Sequence, residues 1–148
     1  MNSRILIAAI ATGLALSACA AMQPGQPVGP PSGCSPTGAE CAVYVDVSDC
    51  THVAFDPDAL DVKDGARVIH WRIRQGLGTY RFAPSGIIIK DTYPGQEFNG
   101  GRPVESDNGY LLNDKNSIPG KHIYRYGVDL MHGSQACPRF DPTIVNQR

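Results

Sequence analysis

The stretch Arg67-Val68-Ile69-His70-Trp71-Arg72-Ile73-Arg74 alternates apolar and polar side chains with a period of two. Only an extended strand turns such residues to opposite faces, because successive Cβ atoms alternate across a pleated backbone while a helix repeats every ~3.6 residues. Ile69, Trp71 and Ile73 are therefore expected in a core, with His70, Arg72 and Arg74 facing outward. The same period recurs in Cys41-Ala42-Val43-Tyr44-Val45-Asp46-Val47, in His52-Val53-Ala54-Phe55, in Leu60-Asp61-Val62 and in His122 to Leu130. Asp56-Pro57-Asp58 and Lys63-Asp64-Gly65 supply turns between them, and Pro84-Ser85-Gly86 turns Tyr80-Arg81-Phe82 into the run Ile87-Ile88-Ile89. Asp91 to Gly109 reads as a long polar, glycine-rich connection with one weak edge strand around Gln96-Glu97-Phe98, a natural binding loop. Thr143-Ile144-Val145 closes the series. Many short strands without a helix of three turns predict an all-β sandwich or barrel.

The chain has 148 residues, enough for one core. Part of that length serves export. Arg4 and the terminal amine precede an apolar run, Ile5 to Leu14, that is shorter than the roughly 20 residues needed to span a bilayer, which is the pattern of a cleaved signal. Removing residues 1–18 takes away one basic residue, Arg4, of the 13 and none of the 14 acidic ones, so the formal charge moves from -1 to -2. Neither the compartment nor that charge suits nucleic acid. Between Ala20 and Ala39 the prolines 24, 27, 30, 31 and 36 are interleaved with glycines. Such a segment has no apolar face to bury and reads as a semi-extended tether.

Leu16-Ser17-Ala18-Cys19 resembles the lipobox of bacterial lipoproteins. The resemblance implies cleavage before Cys19, a diacylglycerol on its thiol and acylation of its amine. Ala20 stands where the family's inner-membrane retention signal would be an aspartate, so the outer membrane is implied. Ala18-Cys19-Ala20 also fits an ordinary A-x-A secretory cleavage site. The expected organisation is residues 1–18 as lipoprotein signal peptide, 19–40 as lipidated Cys19 and tether, and 41–148 as the β-sandwich domain. Within that domain, Leu60-Asp61-Val62-x-x-Gly65-x-x-Val68-x-x-Trp71, then Phe82, Tyr124-Arg125-Tyr126-Gly127-Val128 and Asp141 to Asn146 are similar to cupredoxin-like, Greek-key β-sandwiches, copper-free members included.

A blue-copper site takes two histidines, a cysteine thiolate and an axial methionine. In the family the last three ligands follow the order cysteine, histidine, methionine. Here Met131 and His132 precede Cys137, and neither residue type occurs from Pro138 to Arg148, so the ligand loop is missing. A weaker copper(I) pair of His132 and Met131 with a distant histidine is the alternative reading. His52, His70 and His122 are scattered, with no His-x-His or Cys-x-x-Cys pairing between them. Beyond Cys19, the even set Cys34, Cys41, Cys50 and Cys137 in an oxidising compartment predicts two disulfides out of three connectivities, with Cys34–Cys41 and Cys50–Cys137 preferred.

The remaining chemistry is thin. The aspartates between Asp46 and Asp64 do not form a D-x-[DN]-x-[DN]-G calcium loop, and Ser85 sits outside any G-x-S-x-G elbow. The stripe His70, Arg72 and Arg74, joined by Arg81 on the next strand, is the candidate partner surface, suited to an envelope protein or an anionic glycan. The expectation is a non-enzymatic lipoprotein of the outer membrane, a binding or structural module without catalytic residues, metal or cofactor, held to the bilayer by acyl chains on Cys19.

Overall fold

The computed structural model describes residues 30–91 and 97–148. The expected export segment, the expected lipobox with Cys19 and residues 19–29 of the expected 19–40 tether lie outside them. Two mixed sheets pack face to face as an all-β sandwich. The first holds β1 (Gly33–Cys34), β2 (Glu40–Asp49), β3 (His52–Asp56), β5 (Arg67–Gln75), β7 (Phe98–Val104) and β8 (Gly109–Asp114). Its order is β1-β2-β5-β8-β7, with β3 also on β2. The second holds β4 (Ala59–Lys63), β6 (Tyr80–Ile89), β9 (Lys121–His132), β10 (Gln135–Ala136) and β11 (Thr143–Gln147). Its order is β10-β9-β11-β4, with β6 also on β9. The β2–β5 and β4–β11 pairs are parallel, and the others are antiparallel.

The alternating residues sort as their period dictates. Val43, Val45 and Val47 of β2 and Ile69, Trp71 and Ile73 of β5 meet Leu60 and Val62 of β4, Tyr126, Val128 and Leu130 of β9 and Ile144 of β11 in one buried core. Trp71 joins the sheets: its indole Nε1–H donates to Tyr126 Oη at 3.0 Å, and the rings meet edge to face at 5.4 Å. The hydrogen bond satisfies the single polar atom that burying a tryptophan brings into a core. Cys34 pairs with Cys41, clasping β1 to β2, and Cys50 pairs with Cys137, tying the β2–β3 turn to the segment after β10.

Three expectations are corrected. The edge strand expected around Gln96-Glu97-Phe98 lies further on and is longer, β7 occupying Phe98–Val104, and a single 3-10 turn Glu105–Asp107 leads into β8, so Asp91 to Gly109 is not one long loop. β7 is an edge strand with its side chains after Phe98 largely in solvent, so glycines and Pro103 are tolerated there. Pro84-Ser85-Gly86 does not end a strand, since β6 runs through it with a register shift between Phe82 and Ile87 against β9. His70 does not face solvent. It is buried, for the reason given next.

Candidate functional site

The outer face of the first sheet collects His70, Arg72 and Arg74 of β5 and sets carboxylates from other elements beside each of them. Arg72 donates from Nη2 to Glu40 Oε1 at 2.7 Å and from Nε to Asp107 Oδ2 at 3.2 Å. Arg74 donates from Nε to Asp46 Oδ1 at 3.0 Å, again from Nη2 to the same carboxylate, and from Nη1 to Asp56 Oδ2 at 3.2 Å. The Asp46 hydrogen bonds hold the Arg74 guanidinium more firmly protonated than usual, against the cost of its partial burial. It also lies 5.1 Å from the centre of the Tyr44 ring. His70 sits between the same two carboxylates that flank Arg72, with Nδ1 3.4 Å from Glu40 and Nε2 3.0 Å from Asp107, the latter off the line of a hydrogen bond.

Gly109 makes this approach feasible. A Cβ there would fall 2.6 Å from His70 Nε2 and 2.8 Å from the Trp71 carbonyl oxygen, so no larger residue fits without moving the β5–β8 pair. Arg81 is not part of the stripe, for it belongs to β6 of the other sheet and donates to the Gly133 carbonyl at 2.6 Å. The sequence places His70, Arg72 and Arg74 together correctly. It gives no sign of the four carboxylates that neutralise them.

Beside this lattice lies a cleft of about 340 Å³ whose lining includes Tyr44, Ile73, Leu77, Arg72, Arg74 and Asp107. Leu77 is half exposed, and with Ile123 it is one of the large hydrophobic side chains left in solvent among the described residues. The cations here are already matched by internal carboxylates, so what the cleft offers a partner is chiefly apolar contact framed by fixed charges.

The histidines stay apart. His132 is exposed and stacks on Tyr80 at 5.0 Å between ring centres, and Met131, its neighbour on β9, projects to the opposite side of the strand. His122 stands at the other end of β9, on the order of 30 Å away along the strand at about 3.3 Å per residue. His52 is held by Asp49 at 2.8 Å, and Cys137 is bonded to Cys50 rather than presented as a thiolate. Among the described residues no three His, Cys, Asp or Glu side chains assemble in the manner of a metal site.

A second polar cluster, unforeseen from the sequence, is buried at the end of the sandwich where β8 and β11 finish. Asp114 Oδ1 accepts from the Asn116 N–H at 2.9 Å and from the Asn146 amide at 3.0 Å. Asp114 Oδ2, Asn116 Oδ1 and Asn146 Oδ1 have no hydrogen-bond partner among the described residues. Nearby Glu97 accepts from the Ser117 N–H at 2.7 Å and from its hydroxyl. Burial opposes ionisation of Glu97, but the Ser117 hydroxyl and N–H, the Ile118 N–H and Lys115 outweigh it and hold its pKa below the usual range. Asp114 goes the other way, since burial pushes it up to about 6, with Glu97 adding to the rise against the two amide donors.

A carboxyl group whose folded pKa exceeds its unfolded value binds its proton more tightly in the native state. Its contribution to stability is complete below the unfolded pKa and is lost as pH rises through the folded one. Urea unfolding should therefore show stability falling by on the order of 3 kcal/mol between about pH 4 and pH 7. Asp114→Asn should abolish that slope and be the more stable protein at neutral pH. A wild-type profile flat across this window would contradict the assignment. Asp49 cannot mimic the effect: its hydrogen bonds from the Thr51 hydroxyl and N–H and from His52 lower its pKa, so its contribution is lost only as pH falls below the ordinary carboxylate range.

No protein-family model matches the chain, and no curated protein matches it either.

Proposed function

We propose that this chain is a bacterial envelope lipoprotein, anchored in the outer membrane through Cys19, whose sandwich is a non-enzymatic binding module with the Tyr44–Leu77 cleft as its contact surface. One observation carries the reading. Of the five cysteines, Cys34, Cys41, Cys50 and Cys137 are paired in two disulfides, and the fifth is the cysteine that ends Leu16-Ser17-Ala18-Cys19. Two disulfides suit an oxidising envelope compartment, and the remaining thiol stands where a lipoprotein takes its acyl chains. Each buried methylene of such a chain contributes about 0.8 kcal/mol, so two or more chains anchor stably.

The partner is an envelope protein with an apolar segment to cover the exposed Leu77 and enter the cleft beside it. An anionic glycan fits less well, because Arg72 and Arg74 already hold four carboxylates on that face.

Intact-mass measurement on protein extracted from membranes is expected to show residues 1–18 removed and a diacyl or triacyl addition on Cys19. Cys19→Ser should move the protein from the membrane to the soluble fraction. An unmodified chain beginning near Ala21 would overturn the anchoring.

A further inference from the structure

One end of the sandwich gathers basic residues, most of them without an ion pair. β4 ends there at Lys63, β5 begins at Arg67, β8 ends at Asp114 and leads into Lys115, β9 begins at Lys121, and β11 runs out to Arg148. Backbone hydrogen bonds tie these termini into one surface. Asp64 N–H donates to Gln147 O at 3.3 Å, and Gly120 and Arg148 exchange bonds of 3.1 and 3.3 Å. The register sets Arg67 directly opposite Asp114. Arg148 Nη1 donates to Ser117 O at 2.9 Å, which brings its guanidinium over the Lys115–Ser117 segment.

The distribution of ion pairs makes this end distinctive. Elsewhere Arg72, Arg74, Lys90, Arg125 and Arg139 are each matched with a carboxylate. Of the basic side chains without an ion pair among the described residues, Arg67, Lys115, Lys121 and Arg148 are all here, and Arg81 and Arg102 are the two that lie elsewhere. The exposed acids at this end are Asp61, which pairs with Lys63 at 3.3 Å, Glu40, which pairs with Arg72 at 2.7 Å, and Asp64. Glu97 and Asp114 are buried beneath the surface, Glu97 close enough to Lys115 to feel its charge. A chain that is acidic overall thus presents a cationic end.

We infer that this end rests on anionic phospholipid headgroups, with Lys115 and Lys121 as its principal contacts. The inference builds on the anchoring proposed above, which would hold the domain within reach of such a surface. Tyr44 Oη donates to the Pro30 carbonyl at 2.5 Å, so the described chain begins beside the middle of β2. From there the cationic end is about 13 Å away, four residues along β2 at roughly 3.3 Å each. A stretch of the length of residues 19–29 would span about 34 Å if polyproline-like, at about 3.1 Å per residue, which is ample for that end to lie against the bilayer. Cations near an anionic surface act together with a lipid anchor, each contributing about 1 kcal/mol, or roughly a fivefold change in partitioning, and the effect is screened by salt.

The test uses the exported chain, residues 19–148, carrying Cys19→Ser, so that neither the apolar export segment nor an acyl chain contributes, with its disulfides intact. Co-sedimentation with phosphatidylcholine vesicles, with and without about one-third phosphatidylglycerol, reads the headgroup term alone. The expected result is stronger sedimentation on the anionic vesicles, lost at high salt. Lys115→Gln with Lys121→Gln should reduce that preference by an order of magnitude or more, about fivefold per charge, while Arg102→Gln leaves it unchanged. Equal binding to both vesicles would overturn the inference, as would equal sensitivity to Arg102→Gln. Retention on soluble dextran sulfate without vesicle binding would overturn it in favour of a glycan partner. Failure of acylation at Cys19 in cells would sink the anchor but leave the vesicle result standing, so the two ideas fail separately.

Discussion

Replacing Cys50 and Cys137 together by serine is expected to lower the stability of the oxidised protein by about 4 to 5 kcal/mol, the loop-closure entropy that a bridge of this span removes from the unfolded chain. The bridge joins residues 87 apart in sequence, one at the β2–β3 turn of the first sheet and one beyond β10 of the second. Without it the unfolded ensemble expands, so the urea midpoint should fall while the dependence on denaturant steepens. The Cys34–Cys41 clasp spans a separation of 7, and the same relation gives it about 2 kcal/mol. Unfolding curves of the two double variants separate these cases. A Cys50/Cys137 variant no less stable than the Cys34/Cys41 one would show that the long bridge does not act through the unfolded chain.

Trp71→Ala should cost about 3 to 5 kcal/mol, through lost burial and a cavity in the middle of the sandwich. Trp71 is fully buried, and so is its partner Tyr126, whose phenol burial pushes above its ordinary pKa. A finer test lies in the hydrogen bond between them. Tyr126→Phe leaves the indole N–H without an acceptor in a dry core, at a cost of about 1 to 3 kcal/mol. Adding Trp71→Phe removes the orphaned donor, so the double variant should be more stable than the sum of the two single losses implies. Strict additivity in that cycle would mean the bond does not couple the sheets.

Much of this architecture is legible in the chain itself, where local pattern and tertiary role agree. β5 declares itself because every inward residue from Ile69 to Ile73 is large and apolar and every outward one is polar. β8 conceals itself for a physical reason: its inward residues are Tyr110, Leu112 and Asp114, and the last is a buried carboxylate, so Asn113-Asp114 imitates a turn. β7 is hidden by its place at the edge, where Asn99-Gly100-Gly101 bulges and Pro103 loses no needed hydrogen bond. The binding face divides the same way. His70, Arg72 and Arg74 lie on one strand at alternate positions, but Glu40 meets Arg72 across 32 residues, Asp107 across 35, and Asp46 meets Arg74 across 28. Pairings of that range follow from sheet order, in which β2 lies parallel to β5, and sheet order is not written in any local spacing.

The Cys34–Cys41 clasp has a mechanical side. A pull on the segment preceding Pro30 would peel β1 from β2 one hydrogen bond at a time, the weakest loading geometry a strand can meet. The covalent link stops that peeling at the second residue of β1 and hands the load to Cys41, near the start of a ten-residue strand gripped by β3 and β5. There the force acts along the strand and must shear many bonds at once. A domain tugged from its leash in this way yields later than its short first strand alone would allow.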